Sequence, residues 1–464
     1  MPAANVSADR DDSLAPTPPL VRLGSACGPC VAAPDLPPVA GLPPEDPGAV
    51  TTQPAAAGDE TSGITTAGVS PGPRLIRTIE VRNLLSFGPE TPSLELGGLN
   101  VLIGPNGSGK SNLLDALSLL QAAPGDLQAA FRAAGGPDDW LWKGGKSSTG
   151  SLKVELEVVD DNDFSPDEGF GSELLFHHLV FRRSGTRMGL DGEQVGVWDP
   201  ALQDWETHLQ RSLPLLGTTI DGHRTRMRDP DPDLSILAQL RDPDRYPRLH
   251  ELSRLYGSIR LYRNWSFGRT AVLREPQRAD LRSDRLEEDF SLGLFLNRLR
   301  RHPREKQALL DSLRDLYEGV TDFDVSVEGN TVQVFLTEGE FVIPATRLSD
   351  GTIRYLCLLA ILLDPKLPGL IALEEPELGL HPDIIPRVAD LLVAASQRTQ
   401  LIVTTHSDIL VDALTEHPEA IIVCEKHAGQ TSMRRLNAVE LRPWLDRYRL
   451  GELWTRGELG GTRW

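Results

Sequence analysis

Residues 104–111 read Gly104-Pro105-Asn106-Gly107-Ser108-Gly109-Lys110-Ser111, a complete G-x-x-x-x-G-K-[ST] run between the apolar stretch Leu99 to Ile103 and a helical pattern starting at Asn112. A strand before and a helix after are the context in which this run cradles phosphate. Glycines at 104, 107 and 109 let successive backbone N–H groups turn inward around an anion, and the following helix adds the positive end of its dipole. In this pattern Lys110 reaches toward the β- and γ-phosphates and Ser111 holds Mg²⁺. A glycine turn that binds nothing would need a lysine and a hydroxyl in both demanded positions by accident.

Outward from that loop, composition sets the bounds. The 464 residues carry a formal net charge of −19 and a pI near 5.0, which argues against a surface that grips nucleic acid over its whole extent. No apolar run approaches the roughly 20 residues of a membrane span, and no basic-then-apolar leader opens the chain. The expectation is a cytoplasmic protein with no membrane partner. Four cysteines cannot build a disulfide framework in a chain of this length. Cys27 and Cys30 have redox spacing but lie among prolines and alanines, whereas Cys357 and Cys424 sit in apolar runs and read as core.

Residues 1–73 hold 14 of the 36 prolines and eight acidic against two basic side chains. Such a segment cannot bury enough apolar surface to offset chain entropy, and a disordered tail is expected. Strand patterns follow at Leu75 to Val81 and Ser93 to Leu96, then at Leu152 to Val159 and Leu174 to Phe181. A long arginine-rich stretch without clear periodicity runs from about 185 to 290, a helical pattern covers 291–318, and strands return at Phe323 to Val327 and Thr331 to Leu336. From 349 onward strand and helix patterns alternate.

In that second half Leu370 to Leu373 is an apolar strand ending in Glu374 and Glu375. Paired carboxylates there suit one acid on Mg²⁺ and one on an attacking water. Glu374 is the expected metal-side acid beside Ser111, and Glu375 the general base. Three further motifs accompany them: Arg347 to Thr352 before a long apolar helix, Pro376 to Pro382 directly after the acids, and Leu401 to Ser407 at another strand end. Ser349 and Gly351 would present a hydroxyl and free N–H groups at a helix N-terminus. His406 would sit at the carboxyl end of a strand parallel to the acid-bearing one, where ligands of such sheets bind.

These motifs together resemble the ABC-type ATPase domain, in the RecF and SMC-like branch of bacterial ATPases. The resemblance implies an α/β P-loop NTPase head with a mixed sheet, ATP and Mg²⁺ as cofactors, and ATP hydrolysis. It implies that Ser349 and Gly351 of one subunit meet the γ-phosphate held by another, so that ATP completes a head-to-tail homodimer. Glu377 to His381 would form the dimer-contacting loop, and His406 a γ-phosphate switch. The resemblance covers about 74–185 and 320–440, leaving 186–319 as an inserted, mainly helical subdomain and 441–464 as a C-terminal tail. Two departures stand out: Glu374 replaces the commoner Asp, and no convincing lobe-junction glutamine is present, Gln121 and Gln128 lying too near the first helix.

Between 221 and 306, 19 Lys and Arg face 14 Asp and Glu. Tyr256, Tyr262, Trp265 and Phe267 interleave there with Arg254, Arg260, Arg263 and Arg269. That pattern suits base stacking and phosphate pairing, and equally a lid whose arginines pair internally and whose aromatics fill a small core. The expected role is DNA maintenance or anti-phage defence through DNA or a co-encoded effector. A nucleotide-gated switch on a protein partner is the alternative, and a transporter ATPase subunit a third. The Leu450 to Gly461 tail reads as a docking or dimer-contact element.

Overall fold

The computed structural model describes residues 73–461 apart from 134, 166–168, 213–217, 221–222, 226–230, 264–267, 269–270 and 280–291. The expected tail, Cys27, Cys30, Trp265, Phe267 and Arg269 therefore lie outside the described residues.

Three sheets organise the described residues. The central one has the order β10 (Ile259–Tyr262), β15 (Leu370–Glu374), β16 (Gln400–Thr404), β3 (Leu99–Ile103), β17 (Ile421–His427), β18 (Gln430–Arg435). Its first five strands are parallel and β18 closes the edge antiparallel. An antiparallel sheet runs β2 (Leu94–Glu95), β1 (Ile76–Arg82), β4 (Thr149–Ser165), β5 (Gly169–Ser184), β6 (Arg187–Asp199), β7 (Asp204–Ser212), β8 (Thr218–Ile220), β9 (His223–Thr225). A third joins β11 (Gln277–Arg278), β13 (Thr331–Glu338) and β12 (Val320–Glu328), with β14 (Phe341–Pro344) on β13. The helices are α1 (Lys110–Ala122), α2 (Leu127–Ala133), α3 (Pro137–Trp140), α4 (Ile236–Gln239), α5 (Pro247–Gly257), α6 (Leu292–Leu299), α7 (Pro303–Leu316), α8 (Asp350–Leu362), α9 (Ile385–Ser396), α10 (Asp408–Ala413), α11 (Ala438–Leu445) and α12 (Leu450–Thr455).

The inner parallel strands carry apolar runs, Val101 to Ile103, Leu370 to Leu373, Leu401 to Val403 and Ile421 to Cys424, because both faces are covered there. Val101, Ile103, Ile371, Leu373, Leu401 and Val403 point into a core shared with α6 to α10 and α12. Leu102, Leu370, Ala372, Ile402 and Ile422 point the opposite way, into a core shared with α1, α5 and the antiparallel sheet. Each fully buried Leu or Ile contributes about 1.5–3 kcal/mol. Cys357 and Cys424 are buried free thiols within these cores, as their apolar neighbours imply.

The stretch 186–319 departs from the mainly helical expectation. Its first part is β6 and β7, which continue the antiparallel sheet, and it supplies β10 to the edge of the central sheet. The helical pattern over 291–318 resolves into α6 and α7, broken at Pro303, which starts the second helix. Strand periodicity in β6 is hidden because a polar side chain faces inward. Glu193 is fully buried, accepting from Ser235 Oγ at 2.5 Å and from the Ile236 N–H at 2.9 Å. His177 Nε2 lies 3.1 Å from the same carboxylate, and its Nδ1 pairs with Tyr256 OH at 2.9 Å. This network ties β5 and β6 to α4 and α5.

Candidate functional site

The parallel register puts the carboxyl ends of β3, β15 and β16 on one edge, with Glu374 opposite Thr404 and Thr404 opposite Leu102. The loop after β3 crosses that edge. Gly104 has φ +146, and a Cβ there would lie 2.2 Å from the Cys424 carbonyl oxygen, so only glycine lets the loop pass over β17. Gly109 has φ +102, and a Cβ would sit 2.1 Å from Thr431 Oγ1, whose hydroxyl lies 2.9 Å from the Ser108 carbonyl. Helix α1 begins at Lys110, two residues before the pattern suggested, so its first N–H groups face the loop. Lys110 is buried and donates to the carbonyls of Gly104 at 2.8 Å and Pro105 at 3.0 Å. Burial lowers its ammonium below the usual lysine value, opposed by neighbouring groups that include Glu375 and Glu374.

Ser111 Oγ donates to Glu374 Oε1 at the end of β15. These two hard oxygens fit Mg²⁺, which takes few protein ligands beside water and phosphate. Among the described residues no trio of His, Cys, Asp or Glu gathers into a richer metal cage.

Glu375 follows with φ +46, a left-handed backbone that costs a non-glycine residue about 1–2 kcal/mol. Backbone bonds hold it there: its N–H donates to the Thr404 carbonyl at 3.0 Å and to Thr404 Oγ1 at 3.3 Å, and its carbonyl accepts from Arg354 of α8 at 2.5 Å and from the Leu378 N–H at 3.1 Å. The bend turns the Glu375 side chain toward His406, whose Nε2 is 3.5 Å from Glu375 Oε1. Lys110, Ser111, Glu375, Thr404, His406 and the loop backbone line one cleft of about 150 Å³. An ammonium, a helix N-terminus, a hydroxyl, a candidate base and an imidazole thus converge on a polyanion-sized space.

The Glu377 to His381 loop divides in two. Glu377 turns inward, its Oε1 accepting from Thr405 Oγ1 at 2.5 Å and from the His406 N–H at 3.2 Å. Its Oε2 is buried without a hydrogen bond, and burial raises its carboxyl above the usual range. Leu378 is 59 % exposed, and the His381 side chain is exposed as well.

Ser349 and Gly351 do not line the cleft of their own subunit. Ser349 caps α8, accepting from the Thr352 N–H at 3.1 Å. Gly351 packs against the other loop: a Cβ there would lie 3.1 Å from the Gly379 carbonyl. Asp350 is held by Arg274 and by the Gly268 N–H at 3.1 Å.

Neither glutamine reaches the metal side. Gln121 donates to the Ile259 carbonyl at 2.9 Å and Gln128 to that of Met188 at 2.6 Å. The side chain arriving from the neighbouring strand is Arg263, directly after β10. Its Nε donates to Glu374 Oε2 at 3.1 Å, its Nη1 to Asp115 Oδ1 at 2.5 Å and its Nη2 to the Ser111 carbonyl at 3.4 Å. Burial opposes its charge, but the bonds and charges of Asp115 and Glu374 outweigh that and hold the guanidinium above its ordinary value. In the sequence it shows only as one of the arginines interleaved with aromatics in the basic middle stretch, with nothing that ties it to Glu374.

The basic middle stretch is largely used internally. Arg248 pairs with Glu173, Arg254 with Glu251, Arg298 with Asp364 and Arg300 with Asp324. Tyr256 and Tyr262 are buried, so neither is a stacking surface. The tail docks on its own subunit. Trp454 Nε1 donates to the Gly461 carbonyl at 2.8 Å, and the Gly461 N–H to Glu425 Oε1 at 2.8 Å. A Cβ on Gly461 would come 3.5 Å from Gly104 Cα.

A family profile described as "AAA domain, putative AbiEii toxin, Type IV TA system" matches residues 99–412, more than half the chain and all the motifs above. The chain belongs to this AAA-domain family. Curated proteins similar to it include the chromosome partition protein Smc of Mycolicibacterium paratuberculosis, 26 % identical over 124 residues, 27 % of this chain and 10 % of that protein. The Smc of Synechocystis is 38 % identical over 123 residues, 25 % of this chain and 10 % of that protein. The DNA double-strand break repair Rad50 ATPase of Sulfolobus acidocaldarius is 35 % identical over 92 residues, 19 % of this chain and 10 % of that protein. The chain thus spans about a tenth of the length of these relatives. Among solved structures, an Smc head bound to the C-terminal winged-helix domain of ScpA is similar over 80 % of this chain and 99 % of its own, with a TM-score of 0.50 and 16 % identity. The AAA-domain chain has the ABC-type P-loop head fold of the SMC and RecF branch. Among its described residues no helix is long and apolar enough to cross a membrane.

Proposed function

We propose that the chain binds Mg²⁺ and ATP at residues 104–111, hydrolyses the γ-phosphate bond, and pairs head-to-tail with a second copy while ATP is bound. The observation that carries this is the convergence of Lys110, Ser111, Glu375 and His406 on one cleft at the carboxyl edge of a parallel sheet. The loop N–H groups and Lys110 would hold the β- and γ-phosphates, and Lys110 would exchange its bonds to the Gly104 and Pro105 carbonyls for phosphate oxygens. Mg²⁺, held by Ser111 and Glu374, would supply charge neutralisation on the phosphates. Glu375 would accept a proton from the attacking water, and His406, 3.5 Å away, would orient that carboxylate and contact the γ-phosphate. Ser349 and Gly351 lie outside this cleft, which supports their acting on a partner's nucleotide.

DNA maintenance or defence is the leading role, supported by the names of the Smc and Rad50 relatives. A nucleotide-gated switch on a co-encoded protein is the second reading. It is favoured by the toxin–antitoxin description of the family and by the internal pairing of the middle arginines.

Steady-state ATP hydrolysis, with and without single- and double-stranded DNA, tests both. Lys110→Ala is expected to abolish nucleotide binding, and Glu375→Gln to retain ATP while slowing turnover by 10²-fold or more, on the order of a lost general base. Turnover that survives both substitutions would overturn the assignment. DNA stimulation that falls steeply with salt would select the first role, and indifference to DNA the second.

A further inference from the structure

We infer that Arg263 is a resident competitor for the metal-side acid, a cation that occupies Glu374 until Mg²⁺ arrives with nucleotide. This rests on the Mg²⁺ and ATP reading above and adds to it a residue that none of the motifs contains. Three observations converge on it. Tyr262 pairs with Leu373 in the parallel register, so Arg263 emerges beside Glu374 at the sheet edge. Its guanidinium binds Glu374 Oε2 while Ser111 Oγ binds Oε1, so both oxygens of the carboxylate are engaged. Its remaining contacts, Asp115 Oδ1 at 2.5 Å and the Ser111 carbonyl at 3.4 Å, do not involve Glu374.

That division of bonds makes exchange cheap. When Glu374 turns to a metal ion, Arg263 keeps a carboxylate partner in Asp115 and is not stranded as a half-buried charge. A fixed positive charge a few ångströms from the Ser111 and Glu374 oxygens also repels a divalent cation, so the site resists metal alone and accepts it when phosphate charge is added. Arg263 is thus a positioning residue that couples metal entry to nucleotide entry.

The test uses the full chain, a fluorescent ATP analogue for binding across a Mg²⁺ titration, and Mn²⁺ binding followed by electron paramagnetic resonance without nucleotide. Arg263→Gln is expected to lower the half-saturating Mg²⁺ for analogue binding by about tenfold, the scale of removing a unit charge near a divalent ion in screened surroundings. The same variant should bind Mn²⁺ without nucleotide more tightly than the native chain. Arg263→Lys keeps the charge and should stay close to the native midpoint. An unchanged or raised midpoint in Arg263→Gln, or a lysine variant that follows the glutamine one, would overturn the inference. Failure of the native chain to bind the analogue at any Mg²⁺ concentration would instead overturn the nucleotide reading itself.

Discussion

Glu377 shows how far one side chain can be from what its motif suggests. Placed by resemblance in a contact loop, it lies instead beneath the His406 backbone with one carboxylate oxygen lacking a hydrogen bond. Its folded pKa is raised, above all by burial. Its contribution to stability is therefore present at low pH and is lost as pH rises through the raised value. Glu377→Gln keeps an oxygen for Thr405 and His406 without a charge to bury. Denaturant midpoints of the two proteins at about pH 5 and pH 8 should show the native chain losing ground to the variant at the higher pH. A gap that ignores pH would remove burial as the cause. The meeting of the loop glycines, Lys110, Ser111, Glu374 and Glu375 at one sheet edge was legible because it follows from local order along the chain. Arg263 was not, because its partners Asp115 and Glu374 belong to other elements.

Among elements, the inner parallel strands were readable because burial on both faces leaves apolar runs, as in Leu370 to Leu373, whereas the edge strand β10, interrupted by Arg260, was not. Nor was β6. It carries Gly189, Gly192 and Gly196, and it turns Glu193 into the core, where a pattern of apolar and polar letters expects the opposite. A Cβ at Gly196 would lie 2.3 Å from the Phe176 ring, so even its glycine is set by a neighbouring strand. The carboxylate that obscures the pattern also holds the elements together. Glu193→Ala would deprive Ser235, Ile236 and His177 of a buried partner and is expected to cost about 3–5 kcal/mol in urea denaturation. A loss under about 1 kcal/mol would mean that the network is not what docks α4 and α5 on the sheet.

For the molecule as a whole, the two halves of the expected ATP contact are separate on the same chain, Lys110 lining the cleft and Ser349 exposed outside it at the head of α8. Arg354 bridges them, running from α8 to the Glu375 and Pro376 carbonyls. If two copies complete each other's sites, Glu375→Gln with ATP should double in mass by light scattering, ADP should leave it monomeric, and Ser349→Arg should prevent the change. A Glu375→Gln protein that stays monomeric with saturating ATP would sink the head-to-tail reading while leaving the cleft assignment intact.

The strand that delivers the glycine-rich loop is flanked by partners far along the chain. β3 pairs with residues 401–404 on one side and 421–423 on the other, and Gly104 rests against Cys424 and Gly461. Contacts of such long range form late and slow folding. During synthesis, which releases the N-terminal portion first, residues 104–111 emerge with none of these supports. The supports of residues 104–111 are therefore complete only once residues 401–424 and 461 have been made, so a ribosome-stalled fragment lacking residues beyond 400 would carry the whole motif without any of them.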